Sequence, residues 1–251
     1  MNEIVFVGAG PGDPELITVK GQRHVNEADL IVYAGSLVPV AVIDSRKSSC
    51  VIENSAKMTL DEVIESMSSA WKIGKKVVRV HTGDPSIYGA IREQMDALDA
   101  LSIPYRVIPG VSSFVASAAA LKKEYTLPGV SQTVICTRLE GRTPVPEKEA
   151  LSKLASHQAS MAIFLSVHMI QDVVEQLLVH YPMNTPVAVV QRASWPDEIK
   201  VVGTLETIGK LVQKANITKT AQILVGGFLE GPYELSKLYD AKFSHEYREA
   251  K

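Results

Sequence analysis

Short runs of apolar, β-branched residues alternate along the chain with stretches whose apolar positions repeat at helical spacing. In the first half such runs predict strands at residues 4–7, 30–33, 50–53, 77–80 and 105–108. Helical spacing predicts helices over residues 16–28, 59–72, 85–101 and 114–121. Because strands that alternate with helices form βαβ units, this half is predicted to hold a mainly parallel sheet.

The same alternation resumes after a break in the pattern at residues 122–128, which indicates a domain junction. Strands are predicted at residues 133–137, 161–165, 187–191 and 222–225, with an edge strand at 200–202. Helices are predicted up to residue 157 and over residues 170–180 and 205–215. The sequence therefore predicts a second α/β unit and a polar tail after Gly231.

The stretch VVRVHTGDPSIYG, residues 77–89, is the strongest candidate for a ligand-binding turn. Gly83 tolerates backbone angles that other residues avoid and allows a ligand close to the main chain. Asp84 suits a helix N-cap and Pro85 suits the first helical position. Both Gly83 and Asp84 are thus expected at the carboxyl end of a strand, where open α/β sheets bind ligands. A capped strand-to-helix turn without a ligand is the alternative.

The first strand runs into a second glycine-rich loop, GAGPGDP, at residues 8–14. The loop departs from the dinucleotide fingerprint because Asp13 replaces the third glycine and Pro11 has no N–H to give a phosphate. No Lys-Ser or Lys-Thr pair follows, which also excludes a phosphate-binding P-loop. The loop either allows close approach of a different ligand or is a structural turn.

Composition limits the possible functions. The 26 Lys and Arg residues and 28 Asp and Glu residues give a formal net charge of −2, which disfavours broad nucleic-acid binding. Two cysteines without metal-type spacing favour a reducing compartment, so a cytoplasmic location is expected. No secretion signal is predicted, and no apolar run approaches the roughly 20 residues of a membrane-spanning helix, so no membrane association is expected.

Familiar catalytic arrangements are absent from the sequence. The six histidines lack the spacing of a zinc-binding helix, no G-x-S-x-G motif occurs, and no metal site is predicted. Ligand-type turns at several strand ends without an obvious acid, base or nucleophile favour a reaction driven by positioning, such as transfer from an activated donor. Orientation alone can supply about 7–11 kcal/mol of a reaction barrier.

Several motifs, in order along nearly the whole chain, resemble the tetrapyrrole methylases. They are GAGPGDPELITVKG (8–21), ADLIVYAGSLV (28–38), RVHTGDPSIYGA (79–90), IPGVSSF (108–114), QTVICTRLEGRTPVPE (132–147) and FLS (164–166). This family uses S-adenosyl-L-methionine to methylate carbon atoms of corrin precursors. Within it, VYAGSLV, EGRTPVPE and FSHEYR are most similar to the members that methylate C11 of precorrin-4, especially those of the cobalt-precorrin-4 type.

The resemblance implies two αβα domains, a cofactor in the cleft between them, and a homodimer. The implied division is residues 1–114, residues 115–231 and a tail at 232–251. The resemblance also accounts for the failed dinucleotide fingerprint, because S-adenosyl-L-methionine has no pyrophosphate and Pro11 and Asp13 are then no obstacle.

The resemblance further implies the cofactor contacts, position by position. From the first domain they are Pro11, Thr82, Gly83, Asp84, Ile87, Tyr88, Ser112 and Ser113. From the second domain they are Phe164, Leu165, Ala193 and Ala221. Asp84 is expected to cap its helix, to bind the cofactor, or both. Ser166 stands where relatives often carry Met.

A precorrin substrate carries many carboxylates, and one exposed ion pair is worth only about 0.2–1 kcal/mol, so several cations must converge on it. Arg138 and Arg142 are the predicted substrate-binding cations, with Ser36 as a further hydrogen-bonding group. Solvated arginines and a capping serine are the alternative for these three residues. Any cobalt is expected inside the substrate macrocycle.

Four other functions compete with C11 methylation. The nearest is a sibling methylase that acts on uroporphyrinogen III or another precorrin. Methylases of ribosomal RNA or of a diphthamide intermediate share the broad fold, although the absent basic excess disfavours the RNA enzymes. A nicotinamide oxidoreductase is disfavoured by the missing third glycine. A non-enzymatic tetrapyrrole carrier is the fourth.

Overall fold

A computed structural model describes residues 3–35 and 37–250. The chain divides into two compact units. The first unit contains the residues up to Ala116 together with Arg192–Asp197, and the second contains Ser117–Gln191 and the residues from Glu198 onward. The boundaries proposed from the sequence, at residues 114 and 231, stay predictions.

The first unit is built on a five-stranded sheet in the order β3-β2-β4-β1-β5. Its strands are β1 (Ile4–Gly8), β2 (Leu30–Tyr33), β3 (Val51–Asn54), β4 (Val77–His81) and β5 (Tyr105–Ile108). Every neighbouring pair is parallel. The predicted parallel sheet is therefore confirmed.

Helices cover both faces of this sheet because its strands are apolar on both sides. The helices of this part of the chain are α1 (Val19–Glu27), α2 (Leu60–Lys72), α3 (Arg92–Ala100) and α4 (Ser113–Leu121), which crosses the unit boundary. Val25 of α1 packs with one core cluster, and Met67 of α2 and Leu98 of α3 pack with another. The predicted Thr59 cap is confirmed as a capping box in which Thr59 and Glu62 bind each other's backbone N–H groups.

The second unit is also a five-stranded α/β unit, but its sheet is mixed. The strand order is β6 (Val134–Arg138), β7 (Ser160–Phe164), β10 (Ala221–Val225), β8 (Pro186–Gln191) and β9 (Ile199–Thr204). Only β6 and β7 are parallel, and the other pairs are antiparallel. The helices α5 (Leu151–Ala155), α6 (Ile170–Leu177) and α7 (Ile208–Lys214) supply apolar residues to one core cluster. The edge strand predicted at residues 200–202 is confirmed as β9.

One prediction about local structure is wrong. The helix expected to start at Pro85 begins only at Arg92, so Asp84 caps a turn and not an α-helix. Tyr88 and Ala90 adopt left-handed φ angles of 54° and 49°, which interrupt a helix. Apolar residues recur at helical spacing in this segment, but the backbone of residues 84–91 is not helical.

The helices within the described part of the chain lack the combination of length and apolar character needed to cross a membrane.

Candidate functional site

Three loops meet at the carboxyl edge of the first sheet. They are the first loop (residues 8–14), the central turn (residues 82–91) and the Pro-Gly turn (residues 109–112), which follow β1, β4 and β5. Gly10 and Gly83 join the first two loops by mutual hydrogen bonds, with N–O distances of 3.3 Å and 2.8 Å. The loops after three adjacent parallel strands thus form one surface, at the edge where α/β sheets bind ligands.

The close approach of these loops depends on glycine. A Cβ atom on Gly110 would lie 2.2 Å from the carbonyl oxygen of Gly83, and a Cβ on Gly8 would lie 2.6 Å from Gly110. Gly83 has a φ of 58°, and a Cβ there would contact the Ser112 backbone at 3.6 Å. Because any side chain at Gly8 or Gly110 would separate the strand ends, the close approach of these loops requires glycine at both positions.

The Asp84 carboxylate ties the central turn to the Pro-Gly turn. It accepts hydrogen bonds from the backbone N–H of Ser86 at 2.8 Å and of Gly110 at 2.9 Å, and one from the Ser86 hydroxyl. Burial opposes ionisation of this carboxyl, but the bonds from Ser86 and Gly110 outweigh it and lower its pKa. Asp84 therefore acts as an anionic anchor between two loops.

A buried side-chain pair supports the far end of the central turn. Arg79, only 6% exposed on β4, donates to the Gln94 side chain at 3.1 Å and to the Val32 carbonyl. Gln94 in turn donates to the carbonyl of Ala90 at 3.0 Å. Burial lowers the pKa of Arg79 to about 10, so the guanidinium stays charged at neutral pH. The pair therefore anchors the backbone of Ala90, one of the two left-handed residues of the central turn.

His81 ends β4 beside these loops but is not suited to proton transfer. Its ring is buried and stacks on Phe6 with centroids 6.0 Å apart. Burial, assisted by the charge of Arg79, lowers the pKa of His81 to about 3. The imidazole is consequently neutral throughout the physiological range.

A fourth segment, the 192–197 loop between β8 and β9, packs against the first loop. The Trp195 indole donates to the Pro11 carbonyl at 2.8 Å, and the Ser194 hydroxyl accepts from the Asp13 backbone N–H at 3.0 Å. Ala193 in this loop is buried. Sequence reasoning missed Trp195 and Ser194, because their partners Pro11 and Asp13 lie more than 180 residues away in the sequence.

The first unit thus contains nine of the predicted cofactor residues. They are Pro11, Thr82, Gly83, Asp84, Ile87, Tyr88, Ser112, Ser113 and Ala193. Ala193 was assigned to the second domain from the sequence, whereas the structure groups it with the first unit. Tyr88 is 46% exposed, so its ring offers an accessible apolar surface on the central turn. The cofactor roles of all nine residues stay predictions.

The other three predicted cofactor residues lie in the second unit, where β7 ends and the neighbouring strand β10 begins. Phe164 ends β7 and is buried, whereas Leu165 follows it with a φ of 55° and is 60% exposed. Ala221 begins β10, whose antiparallel register with β7 brings it level with Leu165. Their roles also stay predictions.

Ser166, which departs from the pattern of relatives, has a structural role here. Its fully buried hydroxyl accepts from the backbone N–H of Leu139 at 2.8 Å and donates to the Phe164 carbonyl at 2.6 Å. Ser166 therefore links the ends of β6 and β7 and orients the residues on either side.

A pocket of about 330 Å³ opens beside these strand ends. It is lined by Arg138, Leu139, Gly141, Arg142, Thr143, Leu165, His168 and Met169. Arg138 is largely engaged, because it donates to the carbonyls of Thr143 at 3.1 Å and Pro144 at 2.7 Å. In the described part of the chain, Arg142 is exposed and has no hydrogen-bond or ion-pair partner. Arg138 shapes the loop, and the Arg142 guanidinium is open to a ligand; the substrate-binding roles of both arginines stay predictions.

Two further sequence predictions concern other positions. Ser36 lies outside the described residues. No group of three His, Cys, Asp or Glu side chains that could hold a metal ion occurs in residues 3–35 and 37–250.

Comparison with known proteins places this architecture in a family. The family described as Tetrapyrrole (Corrin/Porphyrin) Methylases matches residues 3–209. The chain belongs to the tetrapyrrole methylases. A cobalt-precorrin-4 C(11)-methyltransferase of Methanocaldococcus jannaschii is 57% identical over 250 residues, which cover 99% of this chain and 96% of that protein. A precorrin-4 C(11)-methyltransferase of Pseudomonas aeruginosa is 49% identical, with 98% of each chain covered.

One more distant relative has its cofactor in its name. An S-adenosyl-L-methionine-dependent uroporphyrinogen III methyltransferase of Methanosarcina barkeri is 33% identical and covers 89% of this chain and 91% of its own. Among solved structures, the X-ray structure of a cobalt precorrin-4 methyltransferase, a cobalamin biosynthetic enzyme, superposes with a TM-score of 0.89 at 43% identity. That match covers 91% of this chain and 96% of the other.

Proposed function

We propose that this protein transfers a methyl group from S-adenosyl-L-methionine to C11 of precorrin-4 or cobalt-precorrin-4 in cobalamin biosynthesis. The observation that carries the proposal is identity over nearly the full chain, at 57% and 49%, to proteins with that name. The match extends to both chain halves, so it includes the loops of the first unit and the arginine-bearing pocket of the second.

The loops of the first unit fit the cofactor. Bound S-adenosyl-L-methionine supplies an electrophilic methyl group on a sulfonium ion. In the protein, the main chain of the first loop and of residues 82–84 is held open to close approach by Gly10 and Gly83, both with positive φ. The exposed Tyr88 ring offers a surface on which a purine can stack. Pro11, which has no N–H, does not disfavour a ligand that lacks a pyrophosphate.

The pocket of the second unit fits a substrate with carboxylates. Arg142 offers a guanidinium that can bind a carboxylate with two hydrogen bonds, and Arg138 keeps the loop that carries it in shape. Leu165 and Met169 supply apolar surface in the same pocket for the macrocycle itself. Ser36 remains a predicted substrate contact.

The protein contributes positioning more than proton transfer. His81 is held neutral by burial and Asp84 is occupied by three hydrogen bonds, so neither group is placed to carry a proton at neutral pH. Fixed loops and cation contacts instead orient the reactants, an effect that alone can be worth about 7–11 kcal/mol. Contacts from Phe164, Leu165 and Ala221 to the cofactor belong to this proposal.

A homodimer in the cytoplasm is the finer part of the proposal. Strongly exposed apolar side chains of the tail, among them Leu235, Tyr239 and Tyr247, support an association surface. Two free cysteines fit a reducing compartment. Light scattering that gives the mass of one chain would overturn the dimer.

The second candidate is a sibling methylase that acts on uroporphyrinogen III, favoured by the 33% identity to such an enzyme. An anaerobic assay with methyl-labelled S-adenosyl-L-methionine distinguishes the candidates. The enzyme is incubated with metal-free precorrin-4, cobalt-precorrin-4 or uroporphyrinogen III, and the labelled carbon is located by NMR. We expect label at C11 of a precorrin-4 form, and label on uroporphyrinogen III alone would overturn the proposal.

A further inference from the structure

The 192–197 loop is joined to the first loop by two hydrogen bonds that span more than 180 residues of sequence. Trp195 Nε1 donates to the Pro11 carbonyl at 2.8 Å. Ser194 Oγ accepts from the Asp13 N–H at 3.0 Å. The two bonds hold the residues on either side of Gly12, so the short segment between them has little freedom to move.

Gly12 is required for this contact. A Cβ atom built on Gly12 would lie 2.0 Å from Cδ1 and 2.1 Å from Nε1 of Trp195. The indole therefore lies directly against the main chain, and no side chain fits between them. A plain loop-to-loop contact would tolerate alanine at this position.

The 192–197 loop itself is held in an unusual conformation. Arg192 and Ser194 have φ angles of 50° and 70°, which are rare for residues other than glycine. The Arg192 guanidinium lies 5.1 Å from the centre of the Trp195 ring and pairs with Asp197. Such strain persists only where surrounding contacts enforce it, and it is concentrated at functional sites.

The contact of Trp195 with the first loop also affects the central turn. Gly10, adjacent to Pro11, exchanges hydrogen bonds with Gly83, so fixing Pro11 also fixes the turn that holds Asp84. We propose that Trp195 and Ser194 are positioning residues for the cofactor, which lock the first loop in the conformation that binds S-adenosyl-L-methionine. This inference rests on the proposed function, and it assigns a role to residues outside the predicted contacts.

The main test measures the affinity for S-adenosyl-L-homocysteine by calorimetry in the parent protein, W195F and S194A. W195F keeps an aromatic ring but loses the N–H donor, and S194A loses the hydroxyl that accepts from the Asp13 N–H. We expect each variant to bind about three- to tenfold more weakly, which is the range for one lost hydrogen bond. The KM for S-adenosyl-L-methionine should rise by the same factor, while the KM for the tetrapyrrole stays unchanged.

A fluorescence measurement uses the only other tryptophan. W71F removes the indole on α2 and leaves Trp195 in place. Its emission should change when S-adenosyl-L-homocysteine saturates the protein, and the emission of W195F should not. The W71F result does not depend on whether W195F folds, because Trp195 is intact in W71F.

Three outcomes would overturn the inference: W195F and S194A that both bind within twofold of the parent, a loss of thermal stability without a loss of affinity, or unchanged emission in W71F at saturation. In each of them the parent still binds the ligand, so the proposed function survives. If the parent binds the ligand and methylates a different tetrapyrrole, the proposed function fails while the role of Trp195 stands. A parent that does not bind overturns both.

Discussion

The two units present very different surfaces at the edges of their sheets. In the first unit, glycine loops after three parallel strands are bound to one another by main-chain hydrogen bonds and by the Asp84 carboxylate. In the second unit, a pocket of about 330 Å³ is lined by the side chains of Arg142 and His168 and by apolar groups. The first surface is made largely of hydrogen-bonded backbone, and the second is a pocket that carries positive charge.

This difference matches two recognition problems. A small cofactor that must present one methyl group benefits from fixed main-chain geometry, because a displacement of about 1 Å can cost about 100-fold in rate. A large substrate with many carboxylates is recognised by cations on flexible side chains, which adapt to its shape. We infer that the first unit supplies alignment and that the second supplies substrate affinity.

The largest expected effect comes from a side chain in the central turn. G83V places a β-branched residue at a φ of 58°, next to the Ser112 backbone. Strain of about 1–3 kcal/mol and displacement of the Pro-Gly turn should weaken binding of S-adenosyl-L-homocysteine by at least about 100-fold. Calorimetry measures this loss.

G74V is the matched control, because Gly74 also has a positive φ but ends α2 with nothing within 4 Å of an added Cβ. It should lose stability by a similar amount and keep its affinity. Equal affinity in G83V and G74V would remove the central turn from the cofactor site.

The next largest effect is expected from the buried Arg79–Gln94 pair, which supports the loops of the first unit. R79M leaves the Gln94 amide oxygen without its donor in the core, so unfolding free energy should fall by about 2–3 kcal/mol. The double variant R79M/Q94M should cost less than the sum of the single variants, because neither partner is then left unpaired. Urea denaturation measures all three.

R106M is the comparison, since Arg106 pairs with Glu3 on the surface and its loss should cost less than about 1 kcal/mol. Equal losses in R79M and R106M would contradict a structural role for the Arg79–Gln94 pair.

A smaller effect is expected at the pocket of the second unit. R142A should raise the KM for the tetrapyrrole by about fivefold to twentyfold, as for one charge-assisted hydrogen bond at a partly exposed site. Its affinity for S-adenosyl-L-homocysteine should stay within about twofold of the parent, because Arg142 is proposed to bind the substrate and not the cofactor. K148A, which removes an exposed lysine further along the same segment, should change neither quantity. An unchanged KM in R142A would place substrate recognition elsewhere.

The last effect is a pH dependence of stability in the first unit. His81 has a folded pKa of about 3, below its ordinary value of 6.5, so the unfolded chain binds a proton that the folded chain does not. His81 should therefore lower stability as pH falls from 6.5 towards 3, by about 1.4 kcal/mol per pH unit. H81F should flatten this part of the stability curve, whereas H157Q, at an exposed histidine of the second unit, should not. Parallel curves for H81F and the parent would refute the assignment.

The fold of the first unit was largely predictable because its buried strands are short apolar runs between amphipathic helices. The mixed sheet of the second unit was not, since strands that alternate with helices favour parallel pairing, whereas three of its four strand pairs are antiparallel. β8 and β9 are joined by a loop without a helix, which allows the antiparallel pairing that the structure shows.

The candidate site could be predicted where a glycine follows a strand, as at Gly83. It could not be predicted where the structure depends on contacts between residues far apart in the sequence. The start of the helix after Asp84 was predicted too early. The left-handed φ angles at Tyr88 and Ala90 interrupt the helix, and the spacing of apolar residues does not reveal them. Trp195 and the Arg79–Gln94 pair act through partners far away in sequence. The hydrogen bonds from Arg138 to carbonyls of its own loop also could not be predicted from the sequence, because they depend on the folded path of the backbone.

The most direct measurement is a crystal structure of the protein with S-adenosyl-L-homocysteine. The account predicts ligand density against the first loop, the central turn around Gly83 and the Pro-Gly turn. Density elsewhere, with these three loops free of ligand, would contradict it.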